Sequence, residues 1–269
     1  MSKQVVLLSI DPQFDFCDPT GKLSVTGADK DMERLAAMVR RCRGDIDDIV
    51  CTLDSHHLVH IAHPIWWVDS QGNHPAPFTL IDENDVLGTN PKWKAYNPGF
   101  QTRSVEYVQN LKKNGRYVLC IWPPHCLIGS EGYKVQPVLY EAFLEWEGMF
   151  AAVNYVTKGS NIFTEHYSAV QADVYDPEDP KTGLNTELLK TLQNPDVALI
   201  GISGEASSHC VRSTIYDIAN NFGEENIKKF VYLEDTCSPV PGFENLATEF
   251  LDEMTKRGMA VSTSDKFLR

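Results

Sequence analysis

The sequence predicts an α/β fold of three layers, in which helices cover both faces of a central, mainly parallel sheet of about six strands. The prediction rests on short apolar, β-rich runs that alternate with segments whose apolar residues recur at helical spacing. The runs predicted to be strands are residues 5–10, 49–53, 117–122, 153–157, 197–202 and 230–233. The segments predicted to be helices include residues 30–43, 104–113, 186–193, 210–220 and 244–257.

The first predicted strand ends at Asp11, and Pro12 cannot continue its hydrogen bonding. An acid in this position can cap the turn, or it can act as a general base. In open α/β sheets, active sites lie beyond the carboxyl ends of the strands. Asp11 is therefore a candidate catalytic residue as well as a candidate turn residue.

Metal-type ligands follow the next two predicted strands. Asp54 and His56 stand two residues apart after residues 49–53, on one side of an extended segment, and His125 follows residues 117–122. An aspartate with two histidines suits Zn²⁺ first, with Fe²⁺ or Mn²⁺ as alternatives. His63 is either a further ligand or a packed neighbour, and His57 and His60 are weaker candidates.

Residues 64–116 form an aromatic-rich insertion between these two ligand segments. Irregular insertions of this kind either shape access to a site or pack on the edge of a sheet. Both interpretations stay open. We expect residues 1–269 to form a single domain that carries the insertion.

Two further strand ends carry Lys158 and Cys210. Cys210 lies between residues 197–202 and a helical segment, where backbone N–H groups and a helix N-terminus favour a thiolate. We therefore expect Cys210 to be a nucleophile whose thiolate is accessible near neutral pH. Lys158 beside it would lower the pKa of the thiol.

The composition excludes several classes of function. A formal net charge of −13 argues against a nucleic-acid or anionic-membrane partner, because both select basic surfaces. No apolar run approaches the roughly 20 residues of a membrane span, and no signal peptide is apparent. The seven cysteines contain no CxxC pair, which argues against a disulfide framework. We expect a soluble, cytoplasmic protein.

Five segments together resemble the isochorismatase-like cysteine hydrolases, and within them the nicotinamidase branch. They are residues 10–16, 54–56, 122–126, 155–159 and 204–212, in the family's order. The resemblance implies an isochorismatase-like, Rossmann-like fold and is compatible with a homo-oligomer. It further implies a catalytic triad formed by Asp11, Lys158 and Cys210. It also implies a divalent-metal site formed by Asp54, His56 and His125.

The same resemblance implies how a substrate would be held. Phe16 and Trp122 would sandwich its ring, with Tyr167 as a further wall, and the backbone N–H groups of Ala206 and Cys210 would form the oxyanion hole. The family also has a cis peptide here, between Glu205 and Ala206. Nicotinamidases typically carry an apolar residue at the position of Glu205, and their segment corresponding to residues 64–116 is shorter.

The function implied is hydrolysis of nicotinamide to nicotinate and ammonia through a thioester on Cys210. A related amidase, acting on another small amide or an N-carbamoyl compound, is the first alternative. A redox-sensing thiol protein is a lower-ranked alternative from a different class.

Overall fold

The computed structural model describes residues 3–269. The strands, in chain order, are β1 (Gln4–Ile10), β2 (Asp48–Asp54), β3 (Trp67–Val68), β4 (Leu80–Ile81), β5 (Lys94–Ala95), β6 (Leu119–Cys120), β7 (Asn154–Lys158), β8 (Val197–Gly204), β9 (Phe230–Leu233) and β10 (Ala260–Ser262). The α-helices are α1 (Phe14–Cys17), α2 (Ala28–Cys42), α3 (Glu83–Val86), α4 (Gln101–Lys113), α5 (Pro137–Glu147), α6 (Thr186–Gln193), α7 (Cys210–Phe222) and α8 (Glu244–Lys256).

Six parallel strands form the central sheet in the order β10-β9-β8-β1-β2-β7. Five consecutive residues of β1, Val6 to Ile10, are buried. Because alternate side chains of a strand point to opposite faces, the sheet is covered on both sides. Around it, α2 packs against α5, and α6 packs against α7. The predicted α/β fold with a parallel six-stranded sheet is confirmed.

The predicted strand at residues 117–122 is wrong as a member of this sheet. Only Leu119–Cys120 is a strand, and it pairs antiparallel with β4 in a separate two-stranded sheet. The insertion supplies the strand that pairs with it. The Phe78 N–H donates to the Ile121 carbonyl, and the Ile121 N–H donates to the Thr79 carbonyl. The sixth strand of the main sheet is instead β10, whose three residues are too short and too exposed to show a pattern.

Helix α5 was not predicted from the sequence, although Pro137 in its first turn is a typical start signal. The five predicted helices are all present, as α2, α4, α6, α7 and α8, and the ends of all but α6 are shifted.

The insertion packs onto the body of the protein through aromatic rings. Trp66 and Trp67 are buried, and Trp66 stacks on Phe100 at 5.1 Å between ring centroids. Phe78 meets the edge of Trp122 at 5.7 Å. In the described part of the chain, no helix combines the length and the apolar character that crossing a bilayer requires.

Candidate active site

Adjacent strands of the sheet bring the predicted residues to one edge. Asp11 follows the last residue of β1, and Asp54 and Lys158 are the last residues of β2 and β7, where they pair directly across the two strands. Cys210 is the first residue of α7, which follows β8 after a short loop. The parallel order β8-β1-β2-β7 therefore places these side chains together, as the argument from strand ends requires.

Lys158 lies at the centre of the group, with a side chain that is only 1% exposed. Its Nζ atom is 2.8 Å from Asp11 Oδ2, 3.2 Å from Asp54 Oδ1 and 3.7 Å from Cys210 Sγ. Burying an ammonium requires compensating charge, and the two carboxylates supply it. The three residues of the predicted triad thus converge, because Asp11 and Cys210 both contact the buried Lys158 ammonium.

Asp11 is held in place by Thr52, a residue that sequence analysis missed. The Thr52 hydroxyl donates to Asp11 Oδ1 at 2.5 Å and accepts from the Asp11 N–H at 3.0 Å. Burial raises the pKa of Asp11, and the Asp54 charge adds to the effect while Lys158 opposes it.

The expectation of a Cys210 thiolate near neutral pH is wrong for these surroundings. Burial raises the pKa of Cys210 well above its usual range, and the nearby Asp11 and Asp54 charges raise it further, although Lys158 opposes them. The helix N-terminus and the lysine both favour a thiolate, but the cost of removing a charge from water dominates here.

Asp54, His56 and His125 converge as potential metal ligands. His56 Nε2 lies 2.9 Å from Asp54 Oδ2, His125 Nε2 lies 3.5 Å from the same oxygen, and all three residues are buried. The Nδ1–H of His125 donates to the Pro123 carbonyl at 2.9 Å, which directs its Nε2 lone pair toward Asp54.

Two observations show that this donor set fits a divalent metal ion. One carboxylate and two imidazoles match the ligands that such ions take in open sites. The backbone also makes room for them, since a Cβ atom at Gly159 would lie 2.6 Å from Asp54 Oδ1 and 3.2 Å from His56 Cε1.

His60 and His63 differ in whether both of their ring nitrogens are hydrogen-bonded. His60 uses both, because Nδ1 accepts from the Ala62 N–H and Nε2 donates to the Thr164 carbonyl. His63 donates from Nδ1 to the Leu58 carbonyl, and its buried Nε2 has no hydrogen-bond partner among the described residues. Burial, helped by the His56 and His125 charges, lowers the pKa of His63 to about 3, so its ring is neutral.

Glu165 is a second residue that sequence analysis missed. It is buried, its Oε1 lies 3.9 Å from His56 Nε2, and its Oε2 has no hydrogen-bond partner in the part of the chain that is described. It follows β7 by seven residues in an irregular segment, where no periodic pattern marks it.

A small cavity opens onto Cys210 and is lined by all three predicted aromatic residues, Phe16, Trp122 and Tyr167. Trp122 Nε1 donates to the Tyr167 hydroxyl at 2.9 Å, and the Phe16 ring lies 5.3 Å from that of His125. Further lining residues, not anticipated from the sequence, are Leu23, Glu165, His209 and Val240.

The loop before Cys210 has the backbone features that the resemblance implied. The peptide between Glu205 and Ala206 is cis. Gly204 accommodates close packing of β8 on β1, because a Cβ atom there would lie 1.9 Å from the Ile10 carbonyl oxygen. The Ala206 carbonyl accepts from the N–H groups of His209 and Val211, and both Ala206 and Cys210 line the cavity.

Comparison with known proteins identifies the fold. No protein-family model and no curated protein matches the chain. Among solved structures, the nicotinamidase/pyrazinamidase of Acinetobacter baumanii is 18% identical, with 100% of both chains covered and a TM-score of 0.66. PnC1 from L. infantum in complex with nicotinate is 20% identical, covering 98% of this chain and 95% of that chain at a TM-score of 0.60. The pyrazinamidase of Pyrococcus horikoshii in complex with zinc is 19% identical, covering 97% and 99% at a TM-score of 0.56. At these identities, the likeness shows that the chain has the fold of those enzymes.

Proposed function

We propose that this protein is a cysteine amidohydrolase that converts nicotinamide and water to nicotinate and ammonia. The observation that carries the proposal is the buried Lys158 ammonium in contact with Asp11, Asp54 and Cys210. That group faces a cavity with aromatic walls, beside a set of metal-type ligands. The fold shared with nicotinamidases and pyrazinamidases supports the same reaction.

The first step is attack by sulfur on the amide carbonyl carbon. The Cys210 thiol gives its proton to Asp11, which contacts the same Lys158 ammonium, as the carbon–sulfur bond forms. Burial raises the pKa of Cys210, which favours the neutral thiol, whereas the Lys158 ammonium favours the ionised form of Asp11, so we infer that proton transfer accompanies attack. The Lys158 ammonium contacts both groups, so it stabilises negative charge on the Asp11 carboxylate and on the sulfur.

The tetrahedral oxyanion would be stabilised by the backbone N–H groups of Ala206 and Cys210. Removing one donor in comparable sites costs about 2.7–4 kcal/mol in transition-state stabilisation. Asp11 then gives its proton to the departing ammonia, which leaves the acyl group on sulfur. Water, giving a proton to Asp11, attacks the thioester carbonyl, and that proton returns to the sulfur as the carboxylic acid leaves.

Asp54, His56 and His125 would hold one divalent metal ion, with Zn²⁺ expected first and Fe²⁺ or Mn²⁺ as alternatives. His63 is a candidate fourth ligand, because its Nε2 lone pair is buried and unused, whereas His60 has no free lone pair. When bound, the metal would offer an open coordination position to the ring nitrogen of the substrate. Phe16, Trp122 and Tyr167 would hold the ring so that its carboxamide faces Cys210.

The competing interpretation, a redox-sensing thiol protein, receives less support from the site. All seven cysteines are buried and free, and the burial that raises the pKa of Cys210 disfavours the exposed thiolate on which peroxide sensing depends.

The decisive experiment measures ammonia release from nicotinamide by the metal-loaded protein, with Cys210→Ala as the matched control. We expect turnover by the native chain and a loss of at least about 10³-fold in the variant, with an unchanged circular dichroism spectrum. An active Cys210→Ala variant would remove Cys210 from the mechanism. A native chain that binds metal and reacts with a thiol reagent at Cys210, yet releases no ammonia, would redirect the search to other amides or N-carbamoyl compounds.

A further inference from the structure

The loop that leads to Cys210 contains a fully buried carboxyl group, Glu205, directly before Ala206. Its Oε2 accepts a hydrogen bond from the Ser238 N–H at 3.0 Å. Its Oε1 receives no hydrogen bond from any donor in residues 3–269. A buried carboxyl oxygen without a partner is costly, so something must neutralise it.

Asp31 of α2 provides the explanation. Asp31 is 3% exposed and accepts from Arg34 Nη2 at 2.5 Å and from Ser238 Oγ at 2.5 Å, so Asp31 and Glu205 are bonded to the same residue. Two buried carboxylates this near to each other would repel. Burial, followed by the charge of Asp31, raises the pKa of Glu205 well above its usual range, which favours its neutral form.

Glu205 and Asp31 are connected to two segments that line the proposed site, the loop that carries Ala206 and the segment that carries Val240. The Ser238 carbonyl accepts from the Ser207 N–H at 2.9 Å, so residues 205 and 207 are both bonded to Ser238. Two residues further on, the Val240 N–H donates to Ser208 Oγ at 3.0 Å, and the Val240 side chain lines the cavity. Through Ser238, the Glu205 side chain thus fastens the loop that carries Ala206 to α2 and to the segment that carries Val240.

We propose that Glu205 is a positioning residue, whose side chain bonds Ser238, itself bonded to Asp31, and so fixes the Ala206 N–H where the oxyanion forms. Glu205 touches neither the substrate nor the reacting atoms and acts through the backbone of its own loop. An apolar residue at this position would leave the Ser238 N–H without its acceptor. The inference rests on the proposed cysteine hydrolase chemistry, although it does not depend on nicotinamide as the substrate.

Two substitutions separate hydrogen bonding from volume. Glu205→Gln keeps a neutral side chain whose oxygen can accept from the Ser238 N–H, so we expect rates within about threefold of the native chain. Glu205→Leu keeps similar bulk and removes this bond. We expect it to lose roughly 10- to 100-fold in kcat for nicotinamide, with KM changed by less than about threefold, because a misplaced donor acts on the transition state.

Two further reactions of Cys210 in the metal-loaded protein make the test specific. Acylation by p-nitrophenyl acetate passes through a tetrahedral oxyanion, whereas alkylation by iodoacetamide displaces iodide without one. We therefore expect Glu205→Leu to slow acylation by roughly 10-fold or more and to leave alkylation within about threefold. The Cys210→Ala variant serves as the blank for the other six cysteines.

The outcomes distinguish the alternatives. Equal acylation and turnover in Glu205→Leu and the native chain would overturn the proposal, and so would a parallel fall of acylation and alkylation, which indicates general disorder. A Glu205→Gln variant as slow as Glu205→Leu would also overturn it. If Glu205→Leu does not fold, Glu205→Ala takes its place. If the native chain is acylated but does not hydrolyse nicotinamide, the proposed substrate fails, and the ratio of acylation to alkylation still decides the role of Glu205.

Discussion

Two pairs of buried carboxyl groups in this protein solve the same electrostatic problem differently. Asp11 and Asp54 flank Lys158, an ammonium with a 1% exposed side chain. Among residues 3–269, no buried cation contacts Glu205 or Asp31, since Arg34, which binds Asp31, has a side chain that is 44% exposed. A buried cation compensates the first pair, whereas burial and the Asp31 charge raise the pKa of Glu205 and favour its neutral form in the second pair. A cation leaves carboxylates free to exchange protons with a substrate, whereas a neutral carboxyl group serves as a fixed structural link.

The largest expected effect comes from removing the buried cation. Lys158→Met would leave Asp11 and Asp54 without a counterion, so we expect loss of nicotinamide turnover and a decrease of about 3–5 kcal/mol in the free energy of unfolding. Ammonia release and urea denaturation measure the two effects. Arg34→Met removes the exposed cation of the other pair, and we expect it to cost less than about 1 kcal/mol. Equal losses in the two variants would contradict the distinction between the pairs.

A smaller effect should follow from crowding Asp54. Gly159→Ala would place a Cβ atom 2.6 Å from Asp54 Oδ1, and the residue has a φ of +85°. We expect the displaced carboxylate to reduce both bound metal, measured by elemental analysis after dialysis, and turnover, by about 10-fold.

Gly88→Ala provides the matched control for that substitution. Gly88 has a φ of +90°, and a Cβ atom added there would have nothing within 4 Å, so the control carries the backbone strain alone. If Gly88→Ala lost metal and turnover to the same degree, strain would explain both variants and the contact with Asp54 would be irrelevant.

The smallest expected effect concerns Asp173, a buried carboxyl group whose charge is only partly compensated. Neither of its oxygens has a hydrogen-bond partner among residues 3–269, and Arg116 Nε stays 3.8 Å away. Burial raises the pKa of Asp173 from 3.8 to about 7, with Glu165 and Asp217 adding to the shift and Arg116 opposing it. The folded protein therefore binds this proton more tightly than the unfolded chain does.

The sign of the pH dependence follows from that difference. The stabilising contribution of the Asp173 proton is fully present below pH 3.8 and is lost as the pH rises through about 7. Asp173→Asn cannot ionise, so its Tm relative to the native chain should rise by a few degrees between pH 5 and pH 8. Parallel Tm curves for the two proteins across this range would rule out Asp173 as the titrating group.

The sequence predicted those features that depend on local pattern. Buried parallel strands are short apolar runs, and the rule that sites lie beyond their carboxyl ends brought Asp11, Asp54, Lys158 and Cys210 together correctly. The strand prediction failed at residues 117–122, because an apolar run does not show whether it pairs with the main sheet or with the insertion. It also missed Thr52, whose role depends on a cross-strand neighbour.

The charge states were harder to predict than the positions. A helix N-terminus and a lysine near Cys210 can be inferred from the sequence, but the depth of burial that raises the pKa of its thiol cannot. Glu205 was visible as an unusual residue, yet its partner Asp31 lies on a different element, far away along the chain. Such long-range pairs emerge only when the packing of α2 on the loop is known.

The separation of the site residues along the chain has a consequence for folding. The contact between Lys158 and Cys210 closes a span of 52 positions, and the bond between Thr52 and Asp11 closes one of 41. Contacts of this range form slowly, because the entropy of closing each loop is lost before the contact stabilises anything. Lys158 also lies on β7, the outermost strand of its side of the sheet. Catalytic competence should therefore be among the last properties regained on refolding, after helical signal and compactness have returned.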